Sequence, residues 1–337
     1  MKNRLVRFLA LILVLSICVL GCFACSCADV TYDENGLEYR KTNFGFAYSI
    51  SEGTCTDKQI EIPKTYKGLS VSEINNHAFM SNEKLETVKI SKNVENIRSQ
   101  AFENCKNLKS VVFEEGSKLK SIGVRAFESC VSLTTINVPE KIKTIDGSAF
   151  AGCVNLESVI FDKESKLDKI NHDTFFGCEK LKTIQIPNRV TLIENRAFYN
   201  CKSLQSIEIP NSVEYLNKQA FSWCESLESL KIGSGLKTIG EEAFEGCSNL
   251  KNVVFVAPYS IFEIKFAAFS RCRSLESIEI PASVEFISSY AFSGCSNLLN
   301  ISFSGTVAEW NNVVKGESWN ETVPAQTVKC IDGIVEI

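Results

Sequence analysis

The chain repeats one short pattern along most of its length, and this repetition limits its possible folds more than any other feature. Residues 197–216 show the pattern as A-F-x-x-C-x-x-L-x-x-I-x-I-P-x-S-V-x-x-I/L. Its phenylalanine returns ten times at steps of 23 or 25 residues, which are shorter than the period of ankyrin or tetratricopeptide repeats. The ten positions are Phe79, Phe102, Phe127, Phe150, Phe175, Phe198, Phe221, Phe244, Phe269 and Phe292. Ten copies of one apolar pattern predict a solenoid, in which each copy packs against its neighbours.

A single repeat of this kind cannot fold alone. In residues 197–216 the side chains expected to point inward are Phe198, Cys201, Leu204, Ile207, Ile209 and Val213. Their burial contributes on the order of 10–15 kcal/mol, at roughly 1.5–3 kcal/mol for each large side chain. Fixing the backbone of about 23 residues costs roughly 1–2 kcal/mol per residue. The cost exceeds the gain, so the repeat is stable only when neighbours cover both of its open sides.

Each repeat predicts two short strands and one turn. The segment L-x-x-I-x-I alternates with period two and is rich in β-branched residues, which indicates a short parallel strand. Four units place a proline after it, at Pro139, Pro187, Pro210 and Pro281. Proline ends the strand because it cannot donate to the ladder. V-x-x-I indicates a second extended piece, and A-F-x-x-C a single 3₁₀ or helical turn. The predicted fold class is an α/β, β-rich solenoid of about ten repeats over residues 58–305, with a cap at each end.

Both ends depart from the repeat and are predicted to cap it. Residues 22–57 begin with a polar tether and continue into alternating apolar residues, which indicate a hairpin. These apolar residues are Leu37, Tyr39, Phe46, Tyr48 and Ile50. Residues 306–337 carry Trp310 and Trp319 beyond the last repeat. The two indoles are expected to cover the last layer of the core, as terminal units of solenoids do. An aromatic ligand site is the alternative.

Residues 1–21 indicate an export signal. Three cations precede an apolar run at residues 8–20, which is short for a membrane span and typical of a signal-peptide core. The run ends in V-L-G-C at Cys22, which resembles the lipobox of bacterial lipoproteins. This resemblance implies that Cys22 is the lipid-attachment residue and that the protein is anchored to the membrane, facing outward in the cell envelope. Cleavage near Ala24 or Ala28, with secretion, is the alternative.

Charge and motifs argue against several classes of function. The net charge is −4, and removal of residues 1–21 would lower it to −7. A nucleic-acid partner is not expected, because phosphate binding needs clustered Lys and Arg. The two histidines, His77 and His172, lie at different phases of the repeat. The chain has no G-x-S-x-G, phosphate-loop or H-E-x-x-H motif. We therefore expect neither enzymatic activity nor a cofactor.

Nine of the 15 cysteines occupy one position of the repeat. This cysteine column consists of Cys105, Cys130, Cys153, Cys178, Cys201, Cys224, Cys247, Cys272 and Cys295. Metal sites need C-x₂-C pairs or Cys with His at close spacing, whereas the spacing here equals the repeat period. The column is predicted to be buried and to stay reduced, because in-register Cβ atoms about 4.8 Å apart are farther apart than a disulfide prefers. Cys55 and Cys330, near opposite ends of the stack, are expected not to pair.

The repeat resembles the BspA-like leucine-rich repeats of bacterial surface proteins. The resemblance rests on ten copies of A-F-x-x-C-x-x-L-x-x-I-x-I-P and covers about residues 36–337. Residues 36–39, 306–310 and 328–333 resemble the ends of that family, and departures such as Asn82 at the cysteine position are local. The resemblance implies a leucine-rich-repeat solenoid at the cell surface and, for some members, adhesion to host proteins or other cells. It transfers no binding residue to this chain.

Two columns of side chains are predicted on the solvent face of the L-x-x-I-x-I strands. One is small and rich in hydroxyls, from Thr87 to Asn300. The other, called here the variable column, consists of Lys89, Val112, Asn137, Ile160, Gln185, Glu208, Lys231, Val254, Glu279 and Ser302. Its middle part is the candidate partner-binding face: Val112, Asn137, Ile160, Gln185, Glu208 and Lys231. The alternative is that solvent leaves this column unconstrained.

Three residues of the variable column are aliphatic, namely Val112, Ile160 and Val254. All three belong to the units with a turn two residues longer, and apolar side chains on a wet face suggest a covering surface. We expect the turn at residues 256–259 to cover Val254. The Glu- and Lys-rich turns after Val112 and Ile160 leave those two side chains for a protein partner.

The sequence thus predicts an exported, lipid-anchored module that binds a protein ligand or mediates adhesion to host or matrix proteins or to other cells. A structural envelope scaffold without a specific ligand is the alternative. The two differ in whether the protein binds host cells or matrix saturably.

Overall fold

The computed structural model of the chain describes residues 30–42 and 45–337, which form a β-solenoid of about 12 turns. Each repeat contributes one strand to a long-strand ladder and one to a short-strand ladder, and strands are numbered in chain order. The long-strand ladder consists of β4 (Gln59–Ile62), β7 (Thr87–Ile90), β9 (Ser110–Phe113), β11 (Thr135–Val138), β13 (Ser158–Phe161), β15 (Thr183–Ile184), β17 (Ser206–Ile209), β19 (Ser229–Ile232), β21 (Asn252–Phe255), β23 (Ser277–Ile280), β25 (Asn300–Phe303) and β27 (Thr327–Lys329). The fold class predicted from the repeat is confirmed.

The short-strand ladder runs beside it, built from the V-x-x-I segments. It consists of β6 (Leu69–Ile74), β8 (Asn96–Ile97), β10 (Ser121–Ile122), β12 (Thr144–Ile145), β14 (Lys169–Ile170), β16 (Leu192–Ile193), β18 (Tyr215–Leu216), β20 (Thr238–Ile239), β22 (Glu263–Ile264), β24 (Phe286–Ile287) and β26 (Val314–Lys315). The remaining elements are β1 (Thr31–Tyr32), β2 (Glu38–Lys41), β3 (Ala47–Ser51), β5 (Thr65–Tyr66), β28 (Ile334–Glu336) and the helix α1 (Val307–Asn312).

Within both ladders, paired strands from successive repeats run parallel and in register, so equivalent residues form columns; the short-strand ladder is interrupted between β12 and β14. The long-strand ladder is interrupted between β9 and β11, between β15 and β17, and between β21 and β23. Strands β9 and β21 belong to units with the longer turn. In these strands Phe113 and Phe255 stand in register with Ile90 and Ile232 and are only partly buried. Two of the three interruptions therefore follow units in which the repeat itself changes.

The A-F-x-x-C segments are turns, and the prediction of a 3₁₀ or helical turn is wrong. The residue before Ala and the residue before Cys have positive φ, as in Gln100 (φ 59°) and Asn104 (φ 60°). A 3₁₀ or α-helical turn needs negative φ at successive residues, so these positions break it. The backbone amides of these residues reach the next repeat, as when Gln100 donates to the Val124 carbonyl at 2.8 Å and Asn104 to the Glu128 carbonyl at 2.7 Å.

The core contains one stack of phenylalanine rings that runs through ten repeats. Phe79 to Phe292 are all fully buried, and successive rings lie 4.8–5.7 Å apart between centroids. The ring planes differ by no more than 16°, which is offset stacking rather than edge-to-face packing. Leucine and isoleucine side chains of both ladders fill the remaining interior. The 23- or 25-residue period thus places each phenylalanine directly against the next one.

An antiparallel hairpin covers the first open layer. Strands β2 and β3 pair antiparallel, and β3 then pairs in parallel with β6, which confirms the predicted hairpin. Leu37, Tyr39, Tyr48 and Ile50 are buried, whereas Phe46 is 80% exposed and does not take part in the hairpin's buried face. Phe46 precedes β3 and therefore lies outside the alternation that orients the strand residues.

Two tryptophans and a short helix cover the last layer. Helix α1 begins with a capping box between Thr306 and Glu309, which fixes its first turn. Trp310 is buried against Phe303, with ring centroids 5.3 Å apart. Trp319 meets the ring of Phe292, the last phenylalanine of the stack, edge to face at 6.1 Å. The two indoles therefore occupy the capping position expected from the sequence.

Candidate protein-binding groove

The middle of the variable column lines a groove on the solvent face of the long-strand ladder. The groove has a volume of about 1020 Å³. Val112 of β9, Asn137 of β11 and Ile160 of β13 line it, and Asn137 stands in register with Ile160. Val112 is 46% exposed and Ile160 is 54% exposed. Three of the six residues predicted to contact a partner thus come together in one concave surface.

The walls of the groove are the turns that follow the three strands. The longer turns after Phe113 and Phe161 flank the shorter turn that contains Pro139. Because the shorter turn lies between two turns that are each two residues longer, it leaves a depression one repeat wide. The partly buried rings of Phe113 and Phe161 add apolar surface where the strands end.

The rim of the groove is mostly acidic. Glu114 is held in place by Lys64, at 2.7 Å, and accepts a hydrogen bond from the Lys92 backbone amide at 3.0 Å. The hydrogen bond from Lys64 is the main reason that the pKa of Glu114 lies below its ordinary value. Further acidic and basic side chains on the rim are Glu115, Glu140, Asp162, Glu164, Lys141 and Lys163. None of these six forms an ion pair with a described residue.

The other three predicted face residues lie outside the groove. Glu208 and Lys231 stand in register on β17 and β19 and form an ion pair at 2.8 Å. Lys89, on the other side of the groove, pairs with Glu61 at 2.8 Å. Gln185 follows β15 and is exposed, but does not line the groove. The charged column residues Lys89, Glu208 and Lys231 are thus paired, and the column is uncharged within the groove.

Val254 lies in a smaller depression further along the same ladder. It is 54% exposed and borders a cavity of about 260 Å³ that extends to Glu279 and Ser302. The expectation that the turn at residues 256–259 would cover it is therefore wrong. Tyr259 of that turn instead lines a separate pocket with Ile232 and Phe255, so the turn folds away from Val254.

The cysteine column lies in the core, and each of its thiols has a backbone partner. Each Sγ donates to the carbonyl oxygen of the phenylalanine in the preceding unit, as Cys130 does to Phe102 at 3.1 Å, and the nine distances are 3.0–3.3 Å. Burial raises the pKa of Cys153 to about 12. At Asn82, which replaces the first cysteine, the amide donates to the Glu52 carboxylate at 2.7 Å. A polar donor is thus retained at this position of the repeat.

The two histidines lie in different surroundings. His77 is exposed beside Ala78, as expected from its repeat position. His172 Nδ1 lies 3.3 Å from Asp173 Oδ2, and Arg196 also pairs with Asp173. No group of three potential metal ligands occurs within residues 30–42 and 45–337.

An exposed aromatic patch on the short-strand ladder was missed by the sequence reasoning. It consists of Phe262, Phe266, Phe286, Tyr290 and Val314. Phe266 meets Tyr290 edge to face at 5.7 Å, and Phe286 stands in register with Val314 across β24 and β26. The sequence contained the signal. Phe262 and Phe286 each occupy one of the two middle positions of a V-x-x-I segment, in different repeats, and these positions face outward.

The proposed lipid-attachment residue, Cys22, and the export signal lie outside the described residues. In the described part of the chain, no helix is both long and apolar enough to cross a bilayer.

Comparisons with known proteins agree with the fold. The family described as BspA type leucine rich repeat region matches residues 50–167, 161–263 and 214–315. A leucine rich cell surface protein from Faecalibacterium prausnitzii is 26% identical, with a TM-score of 0.50, covering 85% of this chain and 97% of that one. The pneumococcal vaccine antigen PcpA is 18% identical, with a TM-score of 0.50, covering 87% and 86%, and shares the fold. No curated protein matches the chain. Because the family matches extend over residues 50–315, the chain belongs to the BspA-type leucine-rich-repeat family.

Proposed function

We propose that this protein is an exported cell-surface module that binds another protein and mediates adhesion to host or matrix proteins or to other cells. The observation that carries the proposal is the groove, in which Val112 and Ile160 are about half exposed on a mostly polar sheet face. Exposed aliphatic side chains in a rimmed depression are typical of protein-interaction sites. The similar Faecalibacterium prausnitzii protein, itself a cell surface protein, supports the location.

The rival function is a structural envelope scaffold without a specific ligand. Whole cells that produce the full chain distinguish the two, compared with cells that lack it. Labelled matrix proteins and host cells should bind the producing cells saturably, and unlabelled protein should compete. Binding that rises linearly and is equal on both cell types would favour the scaffold.

We also propose that Cys22 is acylated and anchors the protein in the membrane. The charged start, the apolar run and V-L-G-C support this assignment. One acyl chain gives only marginal membrane binding, whereas several chains give stable attachment. Cys22→Ser should therefore release the protein into the medium or leave it unprocessed. A mature N-terminus downstream of Cys22 without lipid, found by mass spectrometry, would contradict the assignment.

A further inference from the structure

We infer that the groove between the two longer turns binds a protein segment that carries aliphatic side chains flanked by Lys or Arg. This inference rests on the proposed function and specifies the chemistry of its partner. It is argued from the apolar floor of the groove, from the charge of its rim and from the spacing of its two aliphatic side chains.

The floor of the groove selects apolar side chains. Val112 and Ile160 stand on either side of Asn137, and all three point to solvent. Outside the groove, the variable column is polar: Lys89 precedes Val112 and pairs with Glu61, and Ile160 is followed by Gln185 and then by Glu208, which pairs with Lys231. An aliphatic side chain placed over Val112 or Ile160 would remove apolar surface from water, which is favourable. The floor makes no such favourable contact while it faces water, so a partner with aliphatic side chains is favoured.

The rim selects positive charge. Seven charged side chains line the groove, of which five are acidic, and only Glu114 among them is neutralised by an ion pair with a described residue. Lys141 and Lys163 compensate two of the acidic charges. The groove thus carries excess negative charge around an uncharged floor, which attracts Lys or Arg and disfavours acidic segments.

The spacing of the floor residues limits the geometry of the partner. Val112 and Ile160 lie two layers of the stack apart; because β11 pairs with β13 but not with β9, their separation is at least about 10 Å. In a polyproline-II-like segment, residues three apart lie on the same side and are separated by about 9 Å. A segment with aliphatic residues at every third position and cations between them matches both the floor and the rim.

Three synthetic 12-residue peptides test this inference on the full chain captured on a biosensor. The first has Leu at every third position and Lys elsewhere, the second has Glu in place of Lys, and the third has Ser in place of Leu. The Leu/Lys peptide should bind saturably and at least about tenfold more tightly than either of the others. Equal binding of the Leu/Glu peptide would overturn the charge argument, and equal binding of the Ser/Lys peptide would overturn the role of the floor.

Two variants with folding checked by circular dichroism place the site. Val112→Lys with Ile160→Lys should leave the fold intact, because neither side chain packs in the core. The double variant should weaken Leu/Lys binding at least about tenfold. Val254→Lys is the matched control, at the same column position and with the same exposure as Ile160, and should change binding less than about twofold. Unchanged binding by the folded double variant would reject the groove. If the double variant still holds a matrix protein saturably, adhesion stands and the groove assignment fails. If no matrix protein binds but peptide binding depends on Val112 and Ile160, the groove assignment stands and the proposed adhesion fails.

Discussion

Raising the pH above 9 should unfold the solenoid through its cysteine column. Burial raises the pKa of Cys105, Cys153 and Cys224 to about 12. Burial raises it well above the ordinary value of 9.0 at five more thiols: Cys130, Cys178, Cys201, Cys247 and Cys272. Between pH 9 and the raised values, the unfolded chain has released protons that the folded chain still holds. The stability is therefore fully present below pH 9 and falls as the pH rises.

The expected loss is large because eight thiols act in the same direction. One pH unit above its ordinary pKa, each unfolded thiol gains about 1.4 kcal/mol over a thiol that stays protonated. At pH 10 the eight thiols together would remove about 11 kcal/mol from the free energy of unfolding. Typical domains have a free energy of unfolding of about 5–15 kcal/mol. We therefore expect a stable fold near pH 8 and unfolding near pH 10.

Urea unfolding of the chain near pH 8, 9 and 10, followed by far-UV circular dichroism under reducing conditions, measures this dependence. The control is the double variant Cys153→Ala with Cys201→Ala, which keeps every other titrating group. Between pH 8 and pH 10 its free energy of unfolding should fall by about 2.7 kcal/mol less than that of the parent chain, because two fewer thiols ionise on unfolding. If the two proteins have the same slope, ionisation of the buried thiols does not drive alkaline unfolding.

Two further predictions concern the packing between repeats. The ring centroids of Phe198 and Phe221 are 4.8 Å apart, so the effects of Phe198→Leu and Phe221→Leu on the free energy of unfolding should couple by about 0.5–1.5 kcal/mol in a double-mutant cycle. Urea unfolding measures this coupling, and strictly additive effects would show that the stacking contributes nothing. Gly246→Ala should lower the melting temperature more than Gly177→Ala does. Both glycines have positive φ, but a Cβ at Gly246 would lie 2.9 Å from the Trp223 ring, whereas a Cβ at Gly177 would meet nothing within 4 Å. Equal shifts for these two variants would mean that the ring moves away without cost.

The repeat predicted the core well because copies of one pattern place equivalent residues in equivalent surroundings. The period alone assigned Phe198, Cys201 and Ile207 to the interior, and all three are buried. The outward variable column followed from the alternation of the strands and from their parallel register. Neither inference needed the conformation of any single turn.

The turns themselves could not be read from the pattern. A-F-x-x-C has the length of a 3₁₀ turn, yet Gln100 and Asn104 adopt positive φ because their amides bond to the next repeat. This choice depends on a neighbour 24 residues away, as in the bond from the Gln100 amide to the Val124 carbonyl. Local propensity carries no information about such a bond. The same limit applies to the turn at residues 256–259, whose direction decided that Val254 stays exposed.

The groove results from a departure from the repeat. That departure is visible in the sequence, but the concave surface that it produces is not. Positions shared by all units serve stacking, so a column of identical residues offers every ligand the same surface in each layer. Discrimination between ligands must come from positions that differ between layers. Val112 and Ile160 are aliphatic, whereas their neighbours in the variable column are polar or charged, and the turns after their strands are longer than the turn between them. Because a single short-turn unit separates them, the two longer turns form walls around one depression instead of one continuous ridge. The variation in turn length therefore produces a concave surface on a solenoid whose other layers are nearly uniform.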